Sequence, residues 1–268
     1  MTLDPFEVLY EGELPEYKLP ADLHHIYGRL GFTTPVLFSN FVASLDGVVS
    51  LGSKPSAGSI ISGKNAADRF LMGLLRACAD AVVIGAGTLR ATPGHHWTPA
   101  HVYPALATEF TALRSALGRA PEPKLVVLTG SGNLDASHPA IADGAIVVTN
   151  AKGKKALAGH LPASCELIAI GGGPGLDVAV VMAELHRRGL AVLLTEGGPR
   201  LMGRLVGAGL LDEAFLTVSP VLAGRSTSER FGMLEGVELL PGRGTWGRLL
   251  SARRHGDFLF LRYSLGSG

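Results

Sequence analysis

The feature that most constrains the fold is an alternation of short apolar runs and helical runs, which continues to about residue 210. The apolar runs predict strands at 36–44, 81–85, 124–129, 145–149, 165–170 and 192–195. The 3.6-residue periodicity predicts helices at 64–77, 88–91, 105–117, 151–158, 176–188 and 200–208. Ser62 is the expected N-cap of the helix at 64–77, and the proline-rich stretch 92–104 predicts a loop. Strands that alternate with helices form a parallel sheet, because each parallel connection needs a crossover.

The pattern changes after residue 210, where strand-like runs follow one another without helices. These runs are 213–219, 237–240, 248–254 and 258–264, and 254–257 is typical of a hairpin turn. The sequence therefore predicts an α/β fold with a mostly parallel central sheet flanked by helices and with antiparallel C-terminal strands.

The domain organisation predicted from these patterns is simple. Residues 1–33 have weak periodicity and three prolines, and they are predicted to be an N-terminal extension, followed by a single domain at 34–265. The N-terminus has no apolar signal segment, and the apolar runs are too short to cross a membrane, so a cytoplasmic protein is expected. The net charge of +1 gives no basic field for nucleic acid.

Metal and disulfide chemistry are not expected. Cys78 and Cys165 lie in apolar runs and are predicted to be reduced core thiols. The paired histidines at 24–25 and 95–96 lie in the extension and in the predicted loop, and no His-Glu-x-x-His or Cys-x-x-Cys spacing occurs.

A turn between the strand at 192–195 and the helix at 200–208 has the composition of a phosphate-binding site. It reads Thr195-Glu196-Gly197-Gly198-Pro199. Glycines allow the backbone to approach a ligand closely, and the N-terminus of a helix attracts anions. The same residues are also compatible with a tight strand-to-helix turn, since proline suits the first position of a helix.

Three other segments follow predicted strands, at the edge where ligands bind in open α/β sheets. Residues 85–92 contain small residues and hydroxyls that suit phosphate. Residues 128–132 could hold an adenosine 2′-phosphate or form an ordinary turn. Residues 40–47 place Ala43 and Asp46 beside a ligand or form an Asx turn closed by Gly47. The glycines at 171–175 do not fit a dinucleotide-binding Gly-x-Gly-x-x-Gly pattern.

The ordered set of motifs resembles a known family. Ala43-Ser44-Leu45-Asp46-Gly47, Leu74-Leu75-Arg76-Ala77, Gly85-Ala86-Gly87-Thr88, Thr195-Glu196-Gly197-Gly198-Pro199 and Asp212-Glu213 occur in the order found in the reductase domain of the bifunctional riboflavin-biosynthesis deaminase–reductase. The resemblance covers about residues 35–264. It implies a dihydrofolate-reductase-like fold and an NADPH-dependent reductase that acts on a pyrimidine ribosylamine, 5-amino-6-ribosylaminouracil 5′-phosphate or a related compound. It also implies a homodimer.

The resemblance and the motifs together predict the site. The expected cofactor contacts are Ala43, Ile60, Gly85, Thr88, Thr92, Thr129, Ser131, Gly197, Gly198, Pro199, Arg200 and Leu201. The expected substrate contacts are Ser59, Arg76, His95 and Glu196, with Arg76 facing the substrate phosphate. Asp46 and Glu196 are the predicted proton donors.

The chain departs from the family pattern beside this site. Where the family has an acidic pair and later an arginine, this chain has Thr92-Pro93 and then Gly94-His95-His96-Trp97, and the next arginine past Arg90 is Arg114. Two alternatives to a phosphorylated pyrimidine substrate therefore stay open. One is a dihydrofolate or pterin reductase, and the other is a non-catalytic NADPH-binding protein.

Overall fold

A computed structural model describes residues 3–52, 57–171, 175–225 and 230–265. In this part of the chain ten strands form one sheet of order β1-β9-β10-β8-β2-β7-β3-β4-β5-β6. The strands are β1 Glu7–Glu11, β2 Val36–Ala43, β3 Ala81–Gly85, β4 Lys124–Thr129, β5 Ala145–Thr149, β6 Glu166–Ala169, β7 Val192–Thr195, β8 Glu213–Val218, β9 Arg248–His255 and β10 Phe258–Ser264.

Helices cover both faces of this sheet. They are α1 Ala21–Tyr27, α2 Ala57–Ile61, α3 Ala66–Cys78, α4 Ala86–Ala91, α5 Pro99–Val102, α6 Ala107–Ala116, α7 Pro139–Ala142, α8 Ala151–Leu157, α9 Val178–Arg187 and α10 Pro199–Gly207. A short 3₁₀ turn, Pro104–Leu106, precedes α6. No helix within the described ranges has the length and apolarity needed to cross a membrane.

The sheet is parallel from β8 to β6 and antiparallel beyond β8, as the change of pattern near residue 210 predicts. β8 runs parallel to β2, whereas β10 and β9 are antiparallel to their neighbours. The predicted hairpin turn is confirmed, because His255 pairs with Phe258 across it. Neighbouring residues of β2 alternate between two cores, with Leu37 in one and Phe38 in the other. The parallel strands are thus buried on both faces.

Three predicted features are wrong, and one helix was not predicted. Residues 237–240 do not form a strand, because Val237 packs beside Gly207 on α10 and Leu239 packs against the core below it. The N-cap of α3 is Asn65, not Ser62, since its side chain accepts hydrogen bonds from the N–H groups of two residues in the first turn. The predicted loop 92–104 contains α5, which starts after a capping Thr98. The stretch of residues 57–61 forms α2, which the periodicity did not indicate.

The predicted N-terminal extension is built into the sheet and the core. β1 pairs antiparallel with β9, and α1 buries Leu23, Ile26 and Tyr27. Phe6 packs edge-on against Phe260, with ring centroids 4.7 Å apart. Prolines separate these few apolar residues along the chain, which hides their periodicity.

Candidate functional site

A cleft of about 930 Å³ opens at the carboxyl edge of the parallel strands. Its floor is the end of β2, and its walls come from the α2–α3 segment, from α4 and the loop that follows it, and from the turn between β7 and α10. Because parallel strands end at one edge of the sheet, residues far apart in the sequence meet here. The cleft is of the size that binds small molecules and cofactors.

The structure brings nine of the predicted site residues together in this cleft. They are Ser59, Arg76, Thr88, Thr92, His95, Glu196, Gly197, Gly198 and Pro199. The other predicted residues do not line it, and these are Ala43, Asp46, Ile60, Gly85, Thr129, Ser131, Arg200 and Leu201. Two of these residues have contacts that stabilise the fold instead. Leu201 packs in the core, and the hydroxyl of Thr129 accepts a hydrogen bond from the N–H of Gly132.

The glycine turn at residues 195–199 is hydrogen-bonded to β3 on one side and open to the cleft on the other. The hydroxyl of Thr195 donates to the carbonyl of Val83 at 3.1 Å and accepts from the N–H of Gly197 at 3.3 Å. Gly198 is the N-cap of α10, and Pro199 is its first residue. A Cβ atom built on Gly198 would have Thr88 Oγ1, 3.7 Å away, as its nearest neighbour. The turn therefore leaves room for a ligand at the N-terminus of a nine-residue helix.

Arg76 and Glu196 form a buried ion pair at one end of the cleft. The Arg76 side chain is 1% exposed and the Glu196 side chain 10%. Arg76 Nε donates to Glu196 Oε1 at 3.1 Å, and Nη2 donates to Oε2 at 2.7 Å. This two-point contact fixes the orientation of the carboxylate.

The other donors of Arg76 hold the loop after α4. Nη1 donates to the carbonyls of His96 and Thr98 at 3.2 and 3.3 Å, and Nη2 lies 3.0 Å from His95 Nε2. All five N–H groups of the guanidinium thus face protein acceptors. In this geometry no donor of Arg76 is left for a substrate phosphate, so its hydrogen bonds do not support the predicted phosphate contact, which stays a prediction.

His95 is a neutral acceptor in this arrangement. Its Nε2 must accept from Arg76, because a guanidinium has no acceptor, so the ring proton lies on Nδ1. Burial, and after it the charge of Arg76, lowers the pKa of His95 to about 3. The ring stands edge-on to those of Trp97 and His101, with centroids 5.0 and 4.7 Å away. His95 therefore presents an uncharged face to the cleft throughout the physiological pH range.

We expect Arg76→Met to lower the free energy of unfolding by about 3–5 kcal/mol, because the Glu196 carboxylate would stay buried without a counter-charge. Glu196→Gln, the matched variant, should cost less, since the amide oxygen still accepts from Arg76. Urea unfolding of both variants and of the double variant measures the coupling. Costs that simply add would contradict the pairing.

Asp68 is a second carboxyl in the cleft, and the sequence prediction missed it. It lies in the first turn of α3, is 4% exposed and lines the cleft. Burial, helped by the charge of Glu196, raises its pKa to about 6, and the nearby hydroxyls of Thr217 and Ser62 offset this only in part. A carboxyl that holds its proton near neutral pH can donate it.

The sequence did contain a signal for Asp68. It shares a helix face with Leu71, Leu75 and Cys78, at intervals of three and four residues. An acidic residue in the first turn of a helix is usually explained by the helix dipole. On an apolar face, however, it must be buried, and that is what changes its pKa.

Asn40 is the other polar cleft residue that the prediction missed. It lies on β2, lines the cleft, and is 9% exposed. Its Oδ1 has no hydrogen-bond partner among the described residues. Buried acceptors are normally paired, so this atom suits an N–H group of a bound molecule.

Asp46 lies outside the cleft and is unsuited to donate a proton. Its Oδ1 accepts from Ser44 Oγ at 2.6 Å and from the N–H of Ala223 at 2.9 Å, and Oδ2 accepts from the N–H of Gly224 at 2.7 Å. These bonds, that from Ser44 first, lower its pKa to about 2. These contacts do not support the role of catalytic acid for Asp46, which stays a prediction. The carboxylate instead ties two loops together, with Gly47 closing the turn at φ 77°.

The described residues contain no group of three or more His, Cys, Asp or Glu side chains placed to hold a metal ion. A cleft at the carboxyl edge of a parallel sheet, with an ion pair and a second buried carboxyl inside it, is typical of the ligand sites of α/β proteins. The chain belongs to the family of the RibD C-terminal domain, whose model matches residues 35–241.

Individual relatives agree with this membership. The 2,5-diamino-6-ribosylamino-4(3H)-pyrimidinone 5′-phosphate reductase of Archaeoglobus fulgidus is 27% identical over 195 residues, which are 71% of this chain and 82% of that protein. A pyrimidine reductase-like protein from Corynebacterium diphtheriae has a TM-score of 0.70 at 24% identity, covering 92% of this chain and 99% of that one.

RibD of Acinetobacter baumannii has a TM-score of 0.65 at 20% identity, and the alignment covers 87% of this chain and 59% of that one. The two solved structures share the fold, and the predicted α/β fold with a mostly parallel central sheet and antiparallel C-terminal strands is confirmed. The family match and the name of the Archaeoglobus relative support an oxidoreductase.

Proposed function

We propose that this protein is an NADPH-dependent reductase that transfers hydride to a pyrimidine ribosylamine, with a phosphorylated ribosylaminouracil as the first candidate. The observation that carries the proposal is the pair of carboxyls in one cleft with the glycine turn. Asp68 keeps its proton to about pH 6, while Glu196 is paired with Arg76. The named activity of the Archaeoglobus relative supports the choice of substrate class.

The residues present fit a dinucleotide cofactor. Gly198 leaves an open approach at the N-terminus of α10, and the hydroxyl of Thr88 stands across from it, so the pyrophosphate would be held there by N–H groups and a hydroxyl. The free Oδ1 of Asn40 on the floor of the cleft would accept from an amide or amino group. When bound, NADPH supplies the hydride.

The chain's own residues do the remaining chemistry. Reduction of an imine adds hydride to carbon and requires a proton on nitrogen. We assign that proton to the carboxyl of Asp68, directly or through a water. Glu196, fixed by two bonds from Arg76, would accept hydrogen bonds from substrate hydroxyl or amino groups.

A dihydrofolate or pterin substrate is the second candidate. It is favoured by Arg76, whose hydrogen-bond donors are all used within the protein, and by the uncharged ring of His95 beside the buried Trp97. Neither Arg76 nor His95 therefore offers a free positive charge to a substrate anion. A pterin also needs protonation on a ring nitrogen, which Asp68 could provide.

The decisive experiment has two stages. NADPH and NADH binding is measured first by fluorescence, and NADPH oxidation is then followed with ribosylaminouracil 5′-phosphate and with dihydrofolate. Turnover of the pyrimidine above that of dihydrofolate is the expected result. Turnover of dihydrofolate alone would establish the second candidate. NADPH binding with no turnover of either would point to a non-catalytic protein.

A further inference from the structure

Two cations in the cleft have no acidic partner in the part of the chain that the structure describes. Lys64 and Arg69 both line the cleft, on the same wall as Ser59, and neither belongs to an ion pair there. Arg76 is the third cation that lines the cleft, and all of its N–H groups donate to acceptors within the protein. Lys64 and Arg69 are therefore the cleft's available positive charge.

The backbone of Lys64 is unusual. It has φ 58°, a left-handed conformation that the other described non-glycine residues do not share. Such a conformation costs about 1 kcal/mol for a residue with a Cβ, and glycine would adopt it freely. The turn therefore needs no lysine, although it places a lysine side chain at the cleft.

Arg69 is anchored on one side only. Its Nε donates to the carbonyl of Val102 at 3.1 Å, which ties the side chain of α3 to the end of α5. Its two terminal nitrogens have no acceptor among the described residues. A guanidinium fixed through Nε presents a planar pair of donors that matches the oxygens of a phosphate or carboxylate.

We propose that Lys64 and Arg69 form the subsite for an anionic end of the substrate, a phosphate monoester or a carboxylate. The proposal rests on the proposed function, and it moves the anion from Arg76 to the start of α3, where Lys64 and Arg69 line the cleft. Ser59, the residue predicted to meet the substrate phosphate, lies on the same wall and would add a hydroxyl donor. The reacting carbon would then lie between this subsite and Asp68.

The kinetic test uses Lys64→Gly, which keeps the turn, and Arg69→Met, which keeps the stem of the side chain. Each should raise KM for ribosylaminouracil 5′-phosphate about tenfold, as expected for one charge-assisted contact, and change kcat little. KM for the dephosphorylated compound and the NADPH affinity should not change. Arg204→Met removes an exposed charge outside the cleft and should match the wild type.

A binding test separates this subsite from the proposed activity. By calorimetry, wild-type protein should bind ribose 5-phosphate more tightly than ribose, or p-aminobenzoylglutamate more tightly than p-aminobenzamide if the anion is a carboxylate. The double variant should lose the difference. An equal affinity of the double variant and the wild type for both anions would overturn the subsite, even if the enzyme reduces its substrate. Loss of turnover alone would count only against the proposed function.

Discussion

The Asp68→Asn variant is expected to lose about a hundredfold to ten-thousandfold in kcat, because a positioned proton donor contributes that much to a transfer step. Asparagine fills the same volume on the buried face of α3 but cannot release a proton. In the wild type, the rate should fall as pH rises above about 6, where Asp68 loses its proton. The variant should lose this part of the pH profile.

The same substitution should stabilise the fold at alkaline pH. The folded-state pKa of Asp68 is raised to about 6 from an ordinary value of 3.8. Its contribution to stability is therefore fully present below about pH 4 and is lost as pH rises through 6. At pH 8 the buried carboxylate costs up to about 3 kcal/mol, which the neutral amide removes.

Kinetics from pH 5 to 9 and urea unfolding at pH 5 and 8 measure both effects. Asp46→Asn is the matched control, since that carboxylate has a low pKa and lies outside the cleft, and its pH profile should keep the wild-type shape. A variant at position 68 that was less active only because it was less stable would show the opposite stability change.

Gly198→Val is expected to weaken NADPH binding at least about a hundredfold and to leave the fold intact. The backbone at Gly198 is extended, with φ −69° and ψ 174°, and valine adopts that conformation readily. A Cβ there meets nothing closer than Thr88 Oγ1 at 3.7 Å, so the protein itself accommodates the side chain. The branched side chain would occupy the space through which the pyrophosphate reaches the helix N-terminus.

Fluorescence titration with NADPH and a thermal melt of the same sample test this expectation. Gly242→Val is the matched control. A Cβ atom at Gly242 would have Leu239 O, 3.9 Å away, as its nearest neighbour, and Gly242 does not line the cleft. Retained NADPH affinity with an unchanged melting temperature would place the pyrophosphate elsewhere.

Local patterns were sufficient for the parallel part of the sheet and for the glycine turn. β3, β4, β5 and β7 were predicted with the ends that the structure has, because short apolar runs between turn residues carry their own boundaries. The N-terminal strand was missed because its stability comes from β9, a partner about 240 residues away.

The site was harder to predict for the same reason. Arg76 has the composition of an anion-binding residue, but Glu196, 120 positions away, and the loop at 95–98 occupy its donors. Asp46 was predicted as a proton donor and Asp68 was not, yet hydrogen bonds lower the pKa of Asp46 and burial raises that of Asp68. A residue's type is visible in the sequence, whereas the neighbours that set its charge are visible only in the fold.

The pairing of β1 with β9 determines when the chain can finish folding. Glu7 pairs with Arg254 and Glu11 with Ser251. During synthesis, β1 leaves the ribosome about 240 residues before the strand with which it pairs. Until β9 has been made, β1 has no strand to pair with, and unpaired strand edges make a folding chain prone to aggregation. β4 pairs with β3 and with β5, which are both much nearer to it in sequence, so this part of the sheet can form before β9 is available to β1.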